Sequence, residues 1–91
     1  MPYDTLKEAQ IKALLCLDPG QEYSCRDVAQ AIQKSYGERC NTVAFHLKHL
    51  SFIGLVELVS LKGGAVGCQL TELGIRAGNQ IARNLNCRRF H

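Results

Sequence analysis

Apolar residues recur at helical spacing in four stretches of the chain, and the residues that bound these stretches are typical of helix ends. The first stretch opens at Thr5, which can form a capping box with Glu8, and the Asp-Pro-Gly sequence at 18–20 closes it. Ser24 repeats the cap signal with an acidic residue three positions later, and Gly37 is a natural stop for that second stretch. The pattern therefore predicts two helices in the first part of the chain.

The rest of the chain combines two further helices with a β-hairpin. Asn41 is the cap candidate for a third helix over residues 41–53. Residues 55–70 are β-rich at both ends and carry a glycine-rich turn at 62–67, which predicts a hairpin. A last helix is predicted from its cap, Thr71, to about residue 86.

The predicted order is helix, short extended segment at 21–23, helix, helix, hairpin, helix, and this order is typical of a helix-turn-helix with a wing. We therefore predict an α+β fold, a winged helix-turn-helix with a three-helix core, a two-stranded β wing and an extra C-terminal helix. We expect one domain over residues 1–91, since a chain of 91 residues suffices for one modest core. The helix-turn-helix is expected at about 24–53, the wing at about 55–70 and the C-terminal helix at about 71–86.

Three segments resemble known winged-helix regulators. The segments "YSCRDVAQAI" (23–32) and "NTVAFHLKHLSFIGLVEL" (41–58), with the spacing T-V-x-x-H-L-x-x-L-x-x-x-G-L-V, are similar to the arsenical-resistance repressor family. The segment "QLTELGIRAG" (69–78) resembles the strand-to-helix segment of several winged-helix families, including the multiple-antibiotic-resistance repressors. The resemblance implies a DNA-binding transcriptional regulator whose helix 41–53 enters the major groove.

The predicted recognition helix has an inner and an outer face. Apolar side chains at helical spacing fall on the inner face. They are Val43, Leu47, Leu50 and Ile53, with His46 at the edge. A sector of about 60° on the opposite face holds a mixed group of side chains. They are Asn41, Phe45, Lys48 and Phe52.

Seven residues are candidates for contact with DNA: Arg26, Arg39, Asn41, Thr42, Phe45, Lys48 and Lys62. Arg26 lies at a helix N-terminus, where free N–H groups favour phosphate. Asn41 can bond adenine, but we favour its role as a cap, and Lys48 either contacts guanine or phosphate or is simply solvated. Phe45 either touches thymine methyl groups or is half-buried under a neighbouring loop. The wing offers only Lys62, so its hold on DNA should be weak.

An alternative function is a winged-helix module for protein–protein contact with little or no specific DNA binding. Phe45 and Phe52 stand at outward positions that are often polar or charged in the family that the sequence resembles. Two apolar rings on one exposed face are typical of a protein interface. A protein partner at Phe45 and Phe52 is therefore the rival of DNA at the same face.

The charge of the chain is +3, but most of it lies at one end. Four of the 11 basic residues lie from position 76 onward, where there is no acidic residue, so residues 1–75 hold 7 basic against all 8 acidic residues. A near-neutral core favours protein contact, whereas the face from Asn41 to Lys48 favours DNA. The charge thus leaves both functions open.

The last helix is the candidate dimer interface, because helix-turn-helix proteins commonly bind two-fold sites as dimers. An apolar stripe recurs every four residues along it: Leu73, Ala77, Ile81 and Leu85. Part of this stripe must cover the domain's own core, and the remainder, Ile81 and Leu85, is left for a partner. We expect a homodimer through this helix.

Five cysteines at wide spacing, with no C-x-x-C, predict free thiols and neither a disulfide framework nor a zinc ribbon. His46 and His49 lie three residues apart, but a metal site would need further ligands. The metal sensors among the related repressors carry a close cysteine pair in the preceding helix, where this sequence has Cys25 alone, so we expect no metal and no cofactor. Cys25 and Cys40, each beside an arginine, are either redox-active thiols or unreactive thiols packed as small apolar groups, and we favour the second interpretation.

Enzymatic and membrane functions are not expected. The sequence has no nucleophile elbow and no phosphate-binding loop. Its longest apolar run, residues 13–17, is too short for a bilayer. The N-terminal MPYDTLKE has neither a basic nor an apolar signal region, so we expect a cytoplasmic protein.

Overall fold

The computed structural model of this protein describes residues 6–89, with side chains described over residues 6–84. Within that part of the chain there are four α-helices and three β-strands. In chain order they are α1 (Glu8–Leu15), β1 (Glu22–Ser24), α2 (Cys25–Tyr36), α3 (Val43–Phe52), β2 (Val56–Ser60), β3 (Val66–Leu70) and α4 (Glu72–Arg89).

Helix α2 starts and stops as its local sequence predicts. The Ser24 hydroxyl accepts a hydrogen bond from the Asp27 N–H (3.1 Å), and the Asp27 carboxylate accepts one from the Ser24 N–H (3.0 Å). Gly37 ends the helix in the left-handed conformation, with φ of 68°. The predicted capping box and glycine stop of this helix are therefore confirmed.

Helix α1 begins later than its sequence predicts. The predicted cap, Thr5, lies outside the described residues, and the first helical residue is Glu8. The buried side chain of Gln10 accepts a hydrogen bond from the Lys7 N–H at 3.1 Å, so a glutamine supplies the acceptor at this end. On the same helix Lys12 forms ion pairs with Glu8 (3.0 Å) and, across to the loop after α2, with Glu38 (2.7 Å).

Helix α3 also begins later than predicted, and the assignment of Asn41 as its cap is wrong. Thr42 occupies the cap position, and its carbonyl accepts the first helical hydrogen bond from the His46 N–H at 3.1 Å. Asn41 lies one residue further out, in a bend. The Thr42 side chain makes no cap hydrogen bond, because its hydroxyl lies against the His46 ring instead.

The wing is larger than the predicted two-stranded hairpin. All three strands form one antiparallel sheet in the order β1-β3-β2. Tyr23, from the segment expected to be extended, pairs with Cys68 of the wing, and the next residue, Ser24, pairs with Gly67. On the other side of β3, Leu58 also pairs with Cys68. The wing is thus joined directly to the residue that caps α2.

The core lies where the helices meet the sheet. Side chains from every helix and from the β2–β3 hairpin contribute to it, and those buried most completely include Leu14, Val28, Leu47, Leu50, Leu55, Val56, Cys68 and Ala77. Because α3 contributes Leu47 and Leu50 from one side only, the opposite side of this helix is turned outward. Packing of the core therefore sets which face of α3 is available to a partner.

Thr71 attaches α4 to the end of α3. Its hydroxyl donates a hydrogen bond to the Gly54 carbonyl and accepts one from the Gly74 N–H at 3.0 Å. The Thr71 N–H also donates to the Leu55 carbonyl at 3.2 Å. At Gly74 the helix passes so close to Leu55 that an added Cβ would overlap the Leu55 carbonyl oxygen. Thr71 therefore holds the start of α4 against the segment that follows α3.

Candidate nucleic-acid interface

The outward face of α3 is open and contains few charges. Phe45 is 61% exposed and Phe52 88% exposed, and Lys48 lies exposed between them. The half-buried alternative for Phe45 is therefore not what the structure shows. Its nearest described aromatic and cationic neighbours are the His46 ring, edge-on with centroids 5.6 Å apart, and the Lys7 ammonium, 6.0 Å from the ring centroid.

Arg26, Arg39 and Asn41 come together at one hollow of about 200 Å³, although they belong to different segments. Arg26 comes from the first turn of α2, and the other two from the loop before α3. Among the side chains that the structure describes, neither arginine is in an ion pair, whereas Lys12 and Arg76 are. The hollow therefore offers two uncompensated guanidinium groups beside the N-terminus of α3, where an anion is favoured.

Thr42 and His46 form a hydrogen-bonded pair at the first turn of α3. The Thr42 hydroxyl oxygen lies 2.9 Å from the His46 Nε2 atom. His46 is only 7% exposed, and its Nδ1 atom is buried without a hydrogen-bond partner among the described residues. Burial lowers the pKa of His46, and the charges of Lys7 and His49 lower it further. The helical pattern placed His46 at the edge of the inner face but gave no sign of this pair.

An apolar cleft of about 300 Å³ separates α3 from the wing. Residues of α2, α3 and both hairpin strands line it: Cys25, Ala44, Leu47, Lys48, Leu58, Val66 and Gly67. Leu58 and Val66 project past the core and remain exposed. Sequence reasoning missed this cleft, and the available signal was that two apolar residues fall on the same face of the predicted hairpin.

Lys62 lies in a single 3₁₀ turn, Lys62–Gly64, at the tip of the wing, and it is exposed. It is the only charged residue between Glu57 and Glu72. Among the described contacts, none brings it to the arginine hollow or to α3. The wing tip therefore carries one isolated positive charge.

The apolar stripe of α4 divides between the core and the surface. Ala77 is completely buried in the chain's own core, so its expected place at a dimer interface is wrong. Leu73 remains 45% exposed, Ile81 packs partly against the core, and the Leu85 side chain lies outside the described residues. A groove of about 230 Å³ between α1 and α4 runs beside the stripe, lined in part by Leu15, Ile75, Gly78 and Ala82.

Cys16, Cys25, Cys40 and Cys68 are free thiols, and burial raises the pKa of Cys68 to about 11. Within residues 6–84 no three potential ligands among His, Cys, Asp and Glu converge on one point. No helix in the described part of the chain combines the length and apolarity needed to cross a bilayer.

Comparison with known proteins identifies the fold. No protein-family model matches the sequence, and no curated protein matches it significantly. The structure of H. salinarum RosR from crystals grown in NaBr superposes with a TM-score of 0.80, at 22% identity over 94% of this chain and 79% of that one. A complex structure of RosR-S1 from the same source superposes with a TM-score of 0.82, at 21% identity over 97% of this chain and 80% of that one.

These likenesses confirm the predicted α+β winged helix-turn-helix fold. It is a fold in which transcription regulators place one helix in the major groove of DNA. The match extends over nearly the whole chain, so it includes the wing and α4 as well as the helix-turn-helix. The similarity to the arsenical-resistance and multiple-antibiotic-resistance repressors stays a resemblance of sequence segments.

Proposed function

We propose that the protein is a DNA-binding transcription regulator of the cytoplasm, without enzymatic activity, that uses α3 (Val43–Phe52) as its recognition helix. The observation that supports this most is the hollow at the N-terminus of α3. There Arg26 and Arg39 carry positive charge without an ionic partner among the described side chains. Such a pair suits a DNA phosphate and would hold the start of α3 at the base edges.

The other candidate contacts take different parts in this arrangement. Lys48 on the outward face suits guanine or phosphate. Asn41, which is not the cap residue of α3, suits adenine or a phosphate oxygen. The exposed Phe45 ring suits a thymine methyl group, and the Thr42 hydroxyl lies at the same helix end. Lys62 at the wing tip adds one phosphate contact at most.

A salt-titrated binding assay on random and genomic duplexes tests this proposal. Phosphate contacts by Arg26, Arg39 and Lys62 predict a slope of about −3 per protomer for log K against log salt. Arg26→Ala should weaken binding to all sequences and reduce the slope by about 1. Lys48→Ala should cost about 1–3 kcal/mol if the lysine reads a base, and less if it meets phosphate. Arg76→Ala is the matched control, since Arg76 is already paired with Glu72 at 2.8 Å.

If affinity for every duplex survives the double change of Arg26 and Lys48, α3 is not the recognition helix. A wild-type protein that binds no duplex at low salt would refute the DNA-binding function as a whole. Either result would favour a protein partner at the outward face of α3.

We also propose that the protein acts as a homodimer through α4. Support comes from the exposed Leu73 and from the open groove of about 230 Å³ between α1 and α4, which an apolar side chain of a second copy could enter. Light scattering at micromolar concentration should report a dimer, and Leu73→Asp should shift it toward a folded monomer. A wild-type monomer would contradict the assembly.

Protein–protein contact remains the second candidate function, and Phe52 favours it. A phenylalanine that is 88% exposed, with a second exposed ring at Phe45, is a surface that water solvates poorly. Under this function Phe52→Glu removes partner binding, whereas under the DNA function it leaves duplex affinity nearly unchanged or lowers it by repelling phosphate. Comparing duplex binding and partner binding of that one variant separates the two functions.

A further inference from the structure

The first turn of α3 contains an exposed hydroxyl held by a buried ring. Thr42 occupies the cap position but does not cap, and its oxygen lies 2.9 Å from His46 Nε2. Thr42 is exposed, whereas His46 is 7% exposed. The hydroxyl is thus bonded to the ring on one side, in a residue that is open to a ligand.

The surroundings of the ring indicate which atom carries its proton. A neutral imidazole has one N–H group and one bare nitrogen. A proton on Nδ1 would be a buried donor without a partner, because that atom has none among the described residues. A proton on Nε2 can be donated to the Thr42 oxygen, and it leaves Nδ1 as a bare acceptor, which costs less to bury than an unpaired N–H group. The ring therefore favours the Nε2–H form.

The Nε2–H form of His46 determines whether the Thr42 hydroxyl donates or accepts a hydrogen bond with a ligand. A hydroxyl has one proton and two acceptor lone pairs. When Nε2–H occupies one lone pair, the hydroxyl proton is left for another acceptor. The nearest described alternative is the Cys40 sulfur at 3.8 Å, which is a weak acceptor. An oxygen or nitrogen atom of a ligand would therefore displace it readily.

We propose that His46 is a positioning residue that presents the Thr42 hydroxyl to DNA as a hydrogen-bond donor. This inference rests on the proposed DNA-binding function and adds a direction to one contact. The partner is an acceptor atom of DNA, either a phosphate oxygen or a major-groove acceptor such as a purine N7, guanine O6 or thymine O4. An amino group of adenine or cytosine does not fit, because it is itself a donor.

A double-mutant cycle on duplex affinity tests the coupling. Thr42→Val keeps the shape of the side chain and removes the hydroxyl, and we expect binding about 2- to 10-fold weaker. His46→Met removes the ring donor and should weaken binding of the protein that retains Thr42. The same change should have little further effect in the Thr42→Val variant, because the group that His46 positions is already gone.

Two conservative variants serve as matched controls. Thr42→Ser keeps the hydroxyl, and His46→Gln can place an amide N–H near the position of Nε2, so both should bind within about 2-fold of the wild type. A purely structural role for His46 would instead give equal losses with and without the hydroxyl. Circular dichroism of each variant establishes that the fold is kept.

The tautomer can be measured without DNA. The ¹⁵N chemical shifts of the His46 ring distinguish the Nε2–H form, which we expect, from the Nδ1–H form. Duplexes in which purine N7, guanine O6 and thymine O4 are replaced in turn (by 7-deazapurines, 2-aminopurine and 5-methylpyrimidin-2-one), and duplexes with methylphosphonate linkages, then separate the two acceptor sources. Loss of the Thr42 effect with the first points to a base and with the second to the backbone.

The outcomes distinguish this inference from the function on which it rests. A wild-type protein that binds no duplex overturns the DNA-binding function and the role of Thr42 with it. An Nδ1–H tautomer, or additive losses in a protein that does bind DNA, overturns only the role of His46. Persistence of the full Thr42 effect in every modified duplex would also contradict a donor contact to DNA.

Discussion

Gly74 lies where α4 crosses the backbone of Leu55, and Gly74→Ala tests this crossing. A Cβ at this position would overlap the Leu55 carbonyl oxygen, and it would lie 2.9 Å from the carbonyl carbon and 3.1 Å from Leu70 Cδ2. The same carbonyl oxygen accepts a hydrogen bond from the Thr71 N–H at 3.2 Å. It therefore cannot retreat from the new methyl group without loosening that bond.

Two opposing effects determine how Gly74→Ala changes the free energy of unfolding. Alanine favours a helix interior over glycine by about 1 kcal/mol. Overpacking typically costs about 1–3 kcal/mol, and the upper end applies because the overlapped atom is backbone rather than a flexible side chain. We expect Gly74→Ala to lower the free energy of unfolding by about 2 kcal/mol, which for a domain of this size lowers Tm by about 8–16 °C.

Gly78→Ala, one helical turn later in α4, is the matched control. A Cβ there meets nothing within 4 Å, so only the helix preference acts and stability should rise by about 0.5–1 kcal/mol. Thermal and urea unfolding followed by circular dichroism compare both variants with the wild type. If Gly74→Ala proves as stable as the wild type, α4 does not cross Leu55 as described. If both variants are destabilised equally, Gly78 has a close neighbour, such as a second copy of the chain.

Three further predictions concern other parts of the molecule. Thr71→Val removes the helix cap and the bond to Gly54 and should cost about 1–2 kcal/mol in urea unfolding, whereas Thr71→Ser should cost much less; equal losses would exclude the hydroxyl as the cause. Because burial lowers the folded-state pKa of His46, stability should be fully present above about pH 6.5 and fall as the pH drops through that unfolded-state value toward the lower folded-state pKa. Tm measured at several pH values should show a weaker dependence for His46→Gln, and an unchanged dependence would assign it to other groups. Cys68, fully buried with a pKa raised to about 11, should resist alkylation in the native protein and react only on unfolding, and mass spectrometry showing rapid native labelling would contradict its burial.

The features that could be predicted from sequence are those encoded within a few neighbouring residues. Ser24 and Asp27 satisfy each other across three positions, and the structure contains the capping box that they predict. The start of α3 was misplaced because Asn41 and Thr42 are both good cap residues. Thr42 holds the cap position although its hydroxyl lies against the His46 ring and makes no cap hydrogen bond.

Features that depend on distant parts of the chain could not be predicted in the same way. The pattern predicts an extended segment at 21–23, and the strand lies at Glu22–Ser24. The pattern does not predict that this strand pairs with the wing, since the alternation of side chains along a strand does not identify its partner. The helical period places Phe45 and Phe52 on the outward face, and both rings are exposed in the structure. The pattern could not predict that Arg26 and Arg39 lie at one hollow, because their proximity depends on how α2 packs against the loop before α3. Ala77 shows the same limit, since a stripe of period four does not distinguish a chain's own core from a partner.

The order of strands in the sheet also bears on how the chain folds during synthesis. In the sheet of the described residues, β3 is the central strand and both β1 and β2 pair with it, so this sheet cannot form until Val66–Leu70 has left the ribosome. The β2–β3 hairpin can then close locally within microseconds. β1 must close a much longer loop, across α2 and α3, and that costs more chain entropy. The sheet therefore forms late in synthesis. A nascent chain that stalls before β3 exposes the short strands β1 and β2 unpaired to its neighbours.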